Sequence, residues 1–146
     1  MYDVYAKLFK TNLISFKYSL KDGKFIFDIE NFIKIIKTKN LKLICLANPD
    51  SPSGTILKKN EVIKIIKVAK KKNCIVLIDE AYYPFCNITL KSEINKYENL
   101  IIVRSLSKSW ALAGLRIGYI LSCKKNISYM TSSKPMYEIG SLQSYI

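Results

Sequence analysis

Histidine is absent from this chain, and arginine nearly so. Its 146 residues include 22 lysines but two arginines, Arg104 and Arg116. Without histidine there is no Ser-His-Asp triad and no imidazole base, so proton transfer falls to Lys, Tyr, Asp, Glu or Cys. A zinc site of the usual Cys/His kind is excluded with it, because the four cysteines (Cys45, Cys74, Cys86 and Cys123) are widely spaced and form no CxxC pair. Cys45 and Cys74 lie in apolar runs and read as buried thiols of a reducing compartment. No apolar run reaches membrane-spanning length, and no basic segment followed by an apolar stretch comes after Met1. The expectation is a cytoplasmic protein without membrane contact.

What the chain does have is lysine and aliphatic residues. Apolar residues make up 49%, enough for a packed core, and the formal net charge is +13. Such a charge makes nucleic acid the obvious partner to consider. The lysines, however, recur at helical spacing opposite apolar stripes, and no stretch interleaves them with aromatics. We read them as solvated helix faces and expect no nucleic-acid partner.

Periodicity predicts a helix over 28–39, with Ile29, Phe32, Ile33 and Ile36 on one side. It predicts a second over 58–72, with Val62, Ile63, Ile66 and Ala69 on one face. Short apolar runs at 41–47, 74–78 and 100–103 read as buried strands. A short helix is expected near 91–97. The segment 116–122 reads as a further strand, too close behind 100–103 for a parallel crossover, hence antiparallel to it. This alternation predicts an α/β fold: three layers, α/β/α, around a mostly parallel sheet with one antiparallel strand near 116–122.

Three unusual segments each follow a predicted strand. "NPDSPSG" (48–54) follows the first, "DEAYYPF" (79–85) the second and "RSLSK" (104–108) the third. If the strands are parallel, all three loops open at the carboxyl edge of the sheet, where open α/β folds bind ligands. Singly, each has a plainer reading: Asp79 as a strand end, Tyr82 as a half-buried aromatic, the proline-rich loop as a turn, Lys108 as one surface lysine among many. Together they bring an acid, a phenol, an amine, hydroxyls and an arginine to one edge.

These segments resemble motifs of fold-type I pyridoxal-phosphate enzymes, in particular class I/II aminotransferases of the histidinol-phosphate aminotransferase group. "SLSKSWALAGLRIGY" is similar to that family's Schiff-base lysine motif, "IDEAYYPF" to its Asp-Glu-Ala-Tyr motif, and "NPDSPSG" to its Asn-Pro-Asn-Asn-Pro-Thr-Gly loop. The three stand in the family order, and the resemblance runs over essentially the whole chain. It implies pyridoxal 5′-phosphate as cofactor, and as substrates a small amino donor and a keto acceptor, phosphorylated ones included. Lys108 would form the Schiff base and then shuttle a proton. Asp79 would pair with the pyridine nitrogen and Tyr82 with the ring 3-oxygen. Ser105, Ser107 and Arg116 would hold the phosphate, where a planar guanidinium serves better than an ammonium. Arg104 either orients the loop or merely ends a strand. Gly114 and Gly118 would let backbone pass close to the cofactor or a neighbouring strand, and Trp110 and Leu112 read as core.

Two departures qualify the resemblance. Ser51 stands where the family has the asparagine that contacts the ring 3-oxygen. It either reaches that oxygen through a water or leaves the contact to Tyr82. Asn48 matches the loop's first asparagine and is assigned no cofactor role. The chain is also far shorter than family members. We therefore expect residues 1–146 to be the central part of a cofactor-binding large domain, ending at "SLQSYI" without the small domain, and lacking the upstream glycine-rich loop and stacking aromatic. A homodimer is expected of the full-length form. The alternatives are a decarboxylase of an amino-acid phosphate, a non-catalytic fragment, and a basic nucleic-acid-binding module.

Overall fold

A computed structural model describes residues 2–133, so the closing segment "SLQSYI" and Met1 lie outside the described residues. Two helices build most of the core. Helix α2 (Ile29–Thr38) starts at Asp28, whose carboxylate accepts the Asn31 N–H at 3.0 Å, satisfying one of the donors that a helix start leaves open. It buries Phe32, Ile33 and Ile36. Helix α3 (Lys59–Lys71) is steadied at its start by Glu61, whose carboxylate accepts the Lys58 N–H at 2.7 Å. Lys70 and Lys71 occupy its last turn, where positive charge suits the helix dipole. Asn73 then takes a left-handed conformation (φ 52°) and stops the helix, a conformation asparagine tolerates better than most residues.

The buried stripe of α3 is Val62, Ile65, Ile66 and Ala69. The face expected from the sequence had Ile63 in place of Ile65. The spacing i, i+3, i+4, i+7 favours Ile65, while Ile63 sits on the flank, partly buried against the core. Ile36, Ile65 and Ile66 are fully buried, each stabilising the fold by about 1.5–3 kcal/mol on area grounds.

The main sheet comprises β3 (Leu43–Ala47), β4 (Ile75–Asp79), β5 (Leu100–Ser105) and β6 (Gly118–Ser122), in that spatial order. The first three are parallel, with Ala47 opposite Asp79 and Asp79 opposite Val103. Strand β6 runs antiparallel to β5, as its short connection requires. Residues alternate between the two faces. Ile44, Leu46, Val76, Ile78, Leu100 and Ile102 are buried on one face and belong to the same core as α2 and α3. Cys45, Ala47, Leu77, Asp79, Val103 and Ser105 occupy the other, which is more open. Helix α1 (Tyr2–Leu8) buries no residue but reaches Asp79 through Tyr2. The result is the expected three-layer, mixed and mostly parallel α/β architecture.

Some elements carried no expectation. A hairpin of β1 (Ser19–Lys21) and β2 (Lys24–Ile26) turns at Asp22-Gly23, both with positive φ (49° and 72°). Gly23 fits a two-residue hairpin turn because it lacks the Cβ that penalises this conformation. Phe16, Phe27 and Phe32 meet at ring-centroid distances of 4.9–5.0 Å, tying the chain beside the hairpin to α2. Helix α4 (Lys124–Ser132) follows β6. The helix expected near 91–97 is only a 3-10 turn at Lys91–Glu93, closed by i+3 bonds such as Glu93 N–H to Leu90 O at 2.8 Å. Among the described residues, no helix is long and apolar enough to cross a membrane, and no group of three or more His, Cys, Asp or Glu is arranged to hold a metal.

Candidate functional site

The loops after β3, β4 and β5 open together at the carboxyl edge, because the three strands are parallel and in close register. Each loop has its own internal scaffold. In the first, the buried Asn48 amide spans to Leu57: Nδ2 donates to Leu57 O at 3.1 Å, and Oδ1 accepts the Leu57 N–H at 2.8 Å. Both ends of that amide are thus committed to backbone, which agrees with assigning it no cofactor role. The peptide bonds preceding Pro49, Pro52 and Pro84 are cis.

Ser51 and Tyr82, from different loops, lie with their hydroxyl oxygens 3.3 Å apart. They line one cleft of about 430 Å³ with Pro49, Asp50, Phe85 and others. A larger groove of about 810 Å³ runs past Lys59, Asn87 and Lys91 and contains none of the residues singled out from the sequence. Its Lys59 is already paired with Glu93 at 2.9 Å. The smaller cleft holds Ser51 and Tyr82 of the expected set, while Asp79 and Lys108 do not line it and belong to the neighbouring strand ends of the same sheet edge.

Asp79 closes β4 on the open face. Its Oδ1 accepts the Ala81 N–H at 3.0 Å, and its Oδ2 accepts the Tyr2 hydroxyl at 3.0 Å. Tyr2 was not anticipated, since 77 residues separate it from Asp79 and no local pattern links them. Burial, followed by the Asp79 charge and this hydrogen bond, pushes the Tyr2 phenol far above its ordinary range. Burial and then Asp79 likewise raise the Cys45 thiol.

In the third loop, Ser105 Oγ accepts the Ser107 N–H at 3.1 Å. Lys108 follows, exposed, with no hydrogen bond or ion pair to its ammonium among the described residues. Ala111 and Arg116 adopt left-handed backbone (φ 55° and 54°), a conformation unusual for such residues. Arg116 is exposed and donates from Nη1 to Ala113 O at 3.4 Å within its own turn. Among the described residues, no hydrogen bond joins it to Ser105 or Ser107. Gly118 does allow a close approach, since a Cβ there would meet Arg104 O at 3.0 Å; Gly114 faces open space. Trp110 and Leu112 are not core as expected, because both are largely exposed on the loop.

Arg104 answers for itself. It is buried and ion-paired to Glu80 at 2.8 Å. Burial opposes its charge, but the hydrogen bonds and charges of Tyr119 and Glu80 outweigh that cost and its pKa is raised. Glu80 was passed over in the sequence, although its place beside Asp79 and the scarcity of arginine were the available signals.

A three-layer α/β core with an acid, a hydroxyl pair and an amine at one sheet edge defines a large-domain core of the pyridoxal-phosphate transferase type. A family model described as aminotransferase class I and II matches residues 1–144. The chain belongs to that family. It is 38% identical, over all of its own length and 40% of the relative's, to a histidinol-phosphate aminotransferase of Thermoanaerobacter sp. strain X514. A Sulfurisphaera tokodaii relative of the same name is 37% identical over 151 aligned residues, again covering 100% of this chain and 40% of the relative. Among solved structures, the histidinol-phosphate aminotransferase of Clostridium acetobutylicum superposes with a TM-score of 0.77 at 26% identity, covering 94% of this chain and 41% of that one. A C-S lyase of Staphylococcus hominis shares the fold at a TM-score of 0.82 and 18% identity, covering 97% of this chain and 38% of that one. The chain thus spans about 40% of the length of the curated relatives it matches.

Proposed function

We propose that this chain carries the pyridoxal 5′-phosphate site of an aminotransferase that moves an amino group between a small amino donor and a keto acceptor, with histidinol phosphate-like donors as the substrate class. The observation that carries the reading is the common edge: parallel register brings the Ser51, Tyr82, Asp79 and Lys108 loops to one end of the sheet. The names of the relatives support transfer over decarboxylation.

The donor set fits such a cofactor. Each Asp79 carboxylate oxygen already accepts one hydrogen bond and has a lone pair left, enough to take a pyridinium N–H as well. The Ser51–Tyr82 pair offers two hydroxyls to a phenolic oxygen, and their 3.3 Å separation lets one acceptor meet both. When bound, the cofactor supplies an electron sink for charge developing at the donor α-carbon. Asp79 would keep the pyridine nitrogen protonated. Ser51 and Tyr82 would orient the ring, and Ser105 and Ser107 would hold the phosphate, with Arg116 joining them only by turning from Ala113 O, to which it donates at 3.4 Å. Lys108 would hold the aldehyde end through Nζ and, as a free amine, would carry a proton at that atom. A homodimer is the assembly proposed for the full-length form.

The test supplies pyridoxal phosphate, an amino donor of the histidinol phosphate kind and a keto acid. Transfer of amino nitrogen to the keto acid, abolished in Lys108→Ala, is the expected result. Carbon dioxide release from an amino-acid phosphate would instead make the site a decarboxylase. Cofactor binding without either product would leave the chain a non-catalytic one.

A further inference from the structure

Asp79 and Ser105 point to the open face of the sheet, and their chain neighbours Glu80 and Arg104 are buried. We infer that Glu80 and Arg104 form a latch behind the site, fixing the Asp79 loop and the Lys108 loop relative to one another. Both are then positioning residues. The inference rests on the cofactor reading above for its consequence, though not for its geometry.

The contacts bridge four segments. Glu80 Oε2 accepts from Arg104 Nε at 3.0 Å and from Nη2 at 2.8 Å, while Oε1 accepts the Leu90 N–H at 2.9 Å. Thr89 closes a ring, donating its hydroxyl to Glu80 Oε2 at 2.9 Å and accepting from Arg104 Nη2 at 2.8 Å. The Arg104 guanidinium lies 3.6 Å from the centroid of the Tyr83 ring, and Nη1 reaches the Tyr119 hydroxyl on β6 at 3.5 Å. The Arg104 and Glu80 side chains are 7% and 1% exposed. One flat side chain therefore ties β5 to the 80–90 connection on one side and to β6 on the other.

This accounts for an arginine in a chain that uses lysine almost everywhere else. An ammonium is a point donor; it cannot serve several acceptors in one plane while stacking on a phenol ring. The pair lies directly after Asp79 and four residues before Lys108, so any slack in it moves the acid and the amine independently. Burial keeps it away from substrate, and it acts only by holding others.

The experiment compares the whole 146-residue chain as wild type, Arg104→Lys and Glu80→Gln, with Lys67→Ala as a surface control. Circular dichroism and thermal melting select the variants that fold. Two readouts follow: amide hydrogen exchange of 80–90 and 104–112 in cofactor-free protein, and borohydride trapping of pyridoxal phosphate at Lys108, quantified by peptide mass. The latch requires folded Arg104→Lys to speed exchange in both loops together and to cut trapping at Lys108 at least tenfold. Lys67→Ala should match wild type. If Arg104→Lys does not fold, Glu80→Gln takes its place with the same expectations in weaker form, since it keeps part of the hydrogen bonding. Wild-type exchange and trapping in a folded variant would overturn the latch and leave the cofactor reading standing. Failure of trapping in wild type would overturn the cofactor reading, and exchange in the two loops would then decide the latch alone.

Discussion

The Tyr2 hydroxyl donates a 3.0 Å hydrogen bond to Asp79 Oδ2 across 77 residues of sequence, joining the first helix to the acid at the end of β4. Its consequence is measurable. Tyr2 is held protonated well above the ordinary phenol value of 10.0 by burial first and then by Asp79. A group whose folded pKa is raised contributes stability that is complete below its unfolded pKa and is lost as pH rises. Tyr2→Phe should therefore destabilise the fold by about 1 kcal/mol at neutral pH, a charge-assisted hydrogen bond discounted for partial exposure. The deficit should shrink above pH 10. Ultraviolet titration should show one tyrosine with a raised pKa fewer in the variant than in wild type.

Glu93 titrates at the other end of the scale. Its hydrogen bond to Lys59 is the main cause of a pKa lowered from 4.5 to about 2, assisted by Lys96 and Ser92 against the opposing effect of burial. A depressed carboxylate stabilises the fold above its unfolded pKa and loses that contribution as pH falls through the folded one. The melting temperature of wild type should fall between pH 4.5 and about 2 more steeply than that of Glu93→Gln. Parallel curves would contradict the pairing.

The α3 stripe predicts an asymmetry between neighbours. Ile65 is fully buried and Ile63 only partly. Ile65→Ala should cost about 2–5 kcal/mol, as buried aliphatic truncations do, and Ile63→Ala clearly less. Chemical denaturation of the two variants decides the order.

The buried ion pair should be worth little net but costly to break. Removing one partner, as in Arg104→Ala, strands a buried carboxylate and should cost about 3–5 kcal/mol, whereas replacing both by apolar residues of similar volume should cost far less. Equal losses in Arg104→Ala and in the double variant Glu80→Leu/Arg104→Met would contradict this.

The strand positions and the antiparallel return of β6 were legible because apolar runs of strand length and a short connection leave few topologies open. The three edge loops were legible for the same reason, since each directly follows a parallel strand. The Asp22-Gly23 hairpin carried its signal openly and was passed over. Other features had no local signature. Tyr2 meets Asp79 and Ser51 meets Tyr82 only through tertiary approach. Arg116, read as a phosphate ligand from its guanidinium, lies turned to its own loop carbonyl. Trp110 and Leu112 looked like core by side-chain type, but both are exposed on the loop among the described residues.

One measurement tests the central claim most directly. The folded protein is given limiting pyridoxal phosphate, reduced with borohydride, digested, and mapped for the modified lysine. The chain's other lysines serve as internal competitors. The account expects the label on Lys108 far above any other lysine, and its loss in Asp79→Ala. Label spread evenly over the surface lysines, or sparing Lys108, would contradict it.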